Sequence, residues 1–172
     1  MKILMGLAAG ILFASAIPAF ADSNPIDVVK AAYANEGFSW TQFATQAPTA
    51  FSKQFISTWR AVMKFKSCNF YDADILTGEG YGGGPGTRRL NSTALTMQSG
   101  DHAEVTANVT PDSESGHSKN IKFELIREHG LWRIDDIVMP DSGDKIPGAI
   151  VVPASTTAYL NQVIRTKCAD YN

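Results

Sequence analysis

Histidine, cysteine and any excess of charge are all scarce in this chain. The three histidines, His102, His117 and His129, fall in or beside turns without H-x-H or H-E-x-x-H spacing, so a zinc site has little support. The two cysteines, Cys68 and Cys168, form no C-x-x-C, which makes a metal or redox role the weaker reading. No G-x-S-x-G elbow is present. Ser142 to Lys145 fits S-x-x-K but lies in a turn-rich loop instead of at a helix start. The stretch GYGGGPGTRR, residues 80–89, lacks the lysine and hydroxyl pair of a phosphate loop. No cofactor and no bound metal are therefore expected. Lys and Arg number 15 against 17 Asp and Glu, a net charge of −2, so nucleic acid and acidic membrane are poor partners. Internal repeats are absent.

One long apolar run exists, at the N-terminus. Lys2, the run Ile3 to Phe13 and then Ala19-Phe20-Ala21 supply the charged, apolar and small-residue regions of a secretory signal, with cleavage expected after Ala21. Ser15 and Pro18 interrupt it, and it is shorter than the roughly 20 residues a membrane span needs. No cysteine follows to carry a lipid. Residues 1–21 thus read as a signal peptide, and residues 22–172 as one periplasmic or secreted domain, long enough for a proper core. Loss of Lys2 brings the net charge to about −3 by counting. In an oxidising compartment Cys68 and Cys168 are expected to pair, and a bridge closing so long a loop is worth about 4–5 kcal/mol on the chain-entropy model.

Along the domain, Asn24-Pro25 marks a helix start, followed by Ile26, Val29, Ala32 and Tyr33 at helical spacing to about Asn35. A short helical turn is expected near Trp40 to Ala44. A second helix is written by the stripe Phe51, Phe55, Trp59, Val62 and Met63, which reads as core. The segment Cys68 to Arg89 is irregular, and Gly82 to Gly86 reads as a mobile loop. Strands are expected at 90–98 and 102–110, the second with Ala103, Val105, Ala107 and Val109 inward. The pair that organises the rest runs from Lys119 to Met139 around the Glu128-His129-Gly130 turn, with Ile121, Phe123 and Leu125 on one face. Its second strand breaks step, because Asp136 falls where an apolar residue is due. A bulge at Asp135-Asp136 would return Ile137 to the face of Trp132 and Ile134. Residues 146–152 could cross a sheet edge. Ser155 caps a last helix carrying Tyr159, Leu160, Val163 and Ile164. Helices, an antiparallel meander and a closing helix make an α+β domain with helices on one face of a sheet.

The helix-then-meander order, FYDADILTGEGY after the second helix and LWRIDDI on the last strand resemble the DUF3828 family of exported bacterial domains, within the NTF2-like (cystatin-like) superfamily. The resemblance covers roughly Pro25 to Ile164. It implies a strongly curved antiparallel sheet wrapped round helices and leaving a conical cavity. It also draws attention to Asp72, Asp74, Trp132, Arg133, Asp135 and Asp136. The glycine-rich insertion Gly82 to Gly86 departs from the pattern.

Among candidate groups, an EF-hand loop beginning at Asp72 would need an oxygen ligand and a glycine where Leu76 and Thr77 stand. Asp72 and Asp74 otherwise cap a turn, or sit at the cavity mouth paired with Arg88, Arg89 or Arg133. Asp135 and Asp136 could divide acid and base roles, yet adjacent strand residues face opposite ways unless the bulge is real. Two functions stay open. One is a binding or interaction module for a small molecule or a protein, an immunity-type partner included, with Asp72, Asp74, Tyr81, Arg89, Trp132, Arg133 and Asp135 as contact residues. The other is a small cavity enzyme with Asp72, Asp74 or Asp136 as general base. Assembly into a homodimer is compatible with both.

Overall fold

The computed structural model describes residues 24–34, 40–65, 76, 88–111, 117–138 and 155–167. The leader, the Cys68 and Cys168 pairing, Asp72, Asp74, Tyr81, Gly82 to Gly86 and residues 140–154 lie outside them. Helices α1 (Pro25–Ala32), α2 (Trp40–Gln46) and α3 (Lys53–Val62) precede strands β1 (Arg88–Ser99), β2 (His102–Pro111), β3 (Lys119–Glu128) and β4 (Leu131–Val138), and helix α4 (Thr156–Thr166) follows. The strands form a curved antiparallel sheet in the order β1-β2-β3-β4, with the helices on one side. Among the described residues, no helix is long and apolar enough to cross a membrane.

Local chemistry explains the helix starts. Asn24 accepts the Ile26 N–H at 3.0 Å ahead of Pro25, Ser52 Oγ accepts the Phe55 N–H at 3.0 Å, and Ser155 Oγ accepts the Ala158 N–H at 3.0 Å. The N-terminus of α3 has a second, distant acceptor: the Glu128 carboxylate takes the Lys53 N–H at 3.2 Å. Phe51 is not part of the α3 stripe. It forms a parallel bridge to Ile134, and the Ser52 N–H donates to the Ile134 carbonyl at 2.8 Å. Met63 likewise leaves the stripe, standing 38 % exposed as the residue that ends α3.

Both tight hairpins use two-residue loops. Gly100 has φ +57° and opens the β1–β2 turn. His129 and Gly130 have φ +52° and +81°, the pattern of a type I′ turn, whose twist matches that of its flanking strands. The inner sheet face is apolar as the alternation requires: Ala103, Val105, Ala107, Val109, Ile121, Phe123 and Leu125 are all buried. They pack with Val28, Val29 and Tyr33 of α1, Phe55, Trp59 and Val62 of α3, Leu160 and Val163 of α4, and Leu76. Phe51 stacks on Phe55 at 4.8 Å, and Tyr33 meets Phe123 edge-on at 6.0 Å.

Candidate functional site

The expected bulge is real and lies at Asp135. Glu124 pairs with Asp136 and Leu125 with Ile134, which leaves Asp135 as the extra residue on β4. Ile137 thereby returns to the inner face opposite Phe123, beside Trp132 and Ile134, and all three are buried. Asp136 falls on the outer side of the strand, opposite Glu124, yet it too is buried. Its surroundings explain why. Ser155 donates its hydroxyl to one carboxylate oxygen, while the other accepts the N–H of Thr157 at 2.9 Å and that of Ile137 at 2.8 Å. Thr157 Oγ1 donates to the Asp135 carbonyl at 3.1 Å, and Thr156 Oγ1 to the Ile137 carbonyl at 2.8 Å. The bulge therefore aims Asp136 at the first turn of α4, where a carboxylate satisfies orphan N–H groups and faces the positive end of the helix dipole.

Trp132 is buried on the inner face, with the Arg127 guanidinium 5.6 Å from its ring centre. Tyr33 and Trp59 share that interior, so the three rings, between 3 and 7 % exposed, occupy space between sheet and helices. At the start of β1, Arg88 is 2 % exposed; its Nη2 donates to the Ala32 carbonyl at 3.3 Å, and its guanidinium lies 5.5 Å from the Tyr33 ring centre. A cation at the carboxyl end of α1 is favoured by the helix dipole.

Arg89 and Arg133 project from the outer face, on β1 and β4, opposite Thr110 and Ile126. Between them runs a polar lattice. Arg89 Nε donates to Asn91 Oδ1 at 3.2 Å, the Asn91 amide donates to Asn108 and to Thr110 at 2.8 Å each, and the Asn108 amide donates to Asn120 at 2.8 Å. Next to it, Lys122 Nζ lies 2.8 Å from Glu124 and 3.6 Å from Glu104. The hydrogen bond to Glu124 raises the Lys122 pKa above its ordinary 10.5; burial opposes this, and the charges of Glu124 and Glu104 add to it.

Of the residues singled out from the sequence, the structure brings Arg89 and Arg133 to one face, sends Trp132 to the core, and places Asp135 and Asp136 at the α4 junction. Sequence reasoning gave no role to the asparagine lattice or to Lys122. Asn108 and Lys122 were legible as outward positions, but their partners depend on register. For Asn108, the partner strand β1 carries the extra residues Asn91 and Thr96, which shift its register twice. Neither the scan against protein-family models nor the search of curated proteins finds a match to this chain.

Proposed function

We propose that this chain is an exported NTF2-like domain of the DUF3828 kind that acts as a binding module, engaging its partner through the sheet's outer surface and not through an interior cavity. The supporting observation is the filling of the interior by Tyr33, Trp59 and Trp132, which takes up volume that a conical cavity would need. A protein partner, of which an immunity-type complex is one version, suits the broad polar outer face better than a small molecule does. Enzyme chemistry at Asp136 would require a carboxylate released from the three donors that now hold it.

Capture from periplasmic extract by the intact protein, by Arg133→Glu and by a chain lacking Gly82 to Gly86 tests this reading. One specific partner lost with Arg133→Glu, from a variant that keeps its thermal transition, is the expected result. Equal recovery by all three chains would overturn the outer-face assignment. Loss only with the glycine deletion would move the contact to that loop.

A further inference from the structure

The two edges of the sheet are treated differently. Along β4, Phe51 and Ser52 pair with Ile134, and Ser155 pairs with Val138, so that edge is covered by the chain itself. On β1, no described residue pairs with the outer edge. Twelve residues long, β1 carries no charged residue and no proline from Leu90 to Ser99, whereas open edges are commonly blunted by such groups. Every residue from Ala94 to Ser99 is exposed, including Leu95 at 41 % on the inner side and Met97 at 39 % on the outer side. Charge flanks this edge strand: Arg89 is exposed at one end and Asp101 just beyond the other.

We propose that the β1 edge is a self-association surface, on which a second copy of this chain adds its own β1 in antiparallel pairing to make one continuous eight-stranded sheet. A two-fold interface is self-complementary, so a group at one end of the edge must suit the group at the other. The register shifts leave Ser92 to Leu95 as the regular part of the strand, centred between Thr93 and Ala94, and of these two an axis at Ala94 brings Arg89 toward Asp101. Counting equally from Ala94, Arg89 falls opposite Ser99 of the second copy, within side-chain reach of its Asp101, and Leu95 falls opposite Thr93. The pairing therefore matches opposite charges twice, removes Leu95 from water and satisfies edge backbone groups that no described residue pairs. The small net charge of −2 per chain opposes it little.

Sedimentation of the purified protein over a concentration series, alongside Leu95→Lys, is the test. A dimer that Leu95→Lys converts to monomer, with an unchanged circular dichroism spectrum, is the expected result. A protein that stays monomeric throughout the series would overturn the proposal, as would a dimer that survives Leu95→Lys, since that dimer would use another surface. Should Leu95→Lys fail to fold, oxidation of Ala94→Cys decides. Two equivalent side chains at the axis lie about 4.5–5.5 Å apart at Cβ, so a covalent dimer not given by the unsubstituted chain supports the pairing, and its absence overturns it.

Discussion

Asp136 looks on paper like a general base in waiting: a carboxylate on a strand of otherwise apolar periodicity, next to a second carboxylate and a tryptophan. Its partners give it a different role, since Ser155, Thr157 and Ile137 all donate to it. Asp136→Ala leaves these donors unpaired in a buried place, and is expected to lower unfolding free energy by about 2–3 kcal/mol in urea titration. An unchanged midpoint would mean that the carboxylate is dispensable to the fold. Gly130 makes a contrasting case. A Cβ there would meet nothing within 4 Å, so Gly130→Ala adds no clash, and its cost is that of holding φ +81° with a side chain. About 1–2 kcal/mol is expected, read as a lower thermal midpoint. Such roles were only half legible. Gly130 announces its turn by residue type, whereas two of the three donors to Asp136, Ser155 and Thr157, come from the start of the last helix, nineteen or more positions along the chain, and no local pattern points to them.

Elements were read well wherever one face had to be buried. The alternation in β2 and β3 and the break in step at Asp136 came through, because a period of two leaves no freedom once the inner face is apolar. The start of α3 did not. Phe51 shares the spacing of Phe55 and Trp59, but Ser52 is the better cap, and the outer edge of β4 claims the backbone of the two residues before the helix. Met63 fits the stripe by count, yet the helix ends at Val62 and releases it. On the outer face, the Glu104–Lys122–Glu124 cluster ties β2 to β3. The pKa of Lys122 is raised on folding, so its contribution is complete below its ordinary 10.5 and is lost as pH climbs through the raised value. In alkaline titrations of stability above pH 10.5, the native chain is therefore expected to lose an increment that Lys122→Met lacks. Parallel curves for the two would show that the cluster adds nothing.

At the scale of the molecule, helices from both ends of the chain close over one side of a four-stranded meander. The tryptophan-bearing hairpin supplies the hinge of that arrangement, because Glu128 and Ile134 hold the start of α3 while Asp136 holds the start of α4. This economy concentrates aromatic volume inside, and on the proposed reading recognition falls to the outer face and the sheet edge. The α+β architecture was legible from element order, while the filling of the interior was not, since periodicity says which residues turn inward but not how completely they occupy the space. Tryptophan fluorescence of a Trp40→Phe chain tests that filling directly, because only Trp59 and Trp132 then emit. Blue-shifted emission, resistant to acrylamide until a single unfolding transition exposes both rings, is the expected result. Emission typical of indole in water, readily quenched in the native protein, would contradict it.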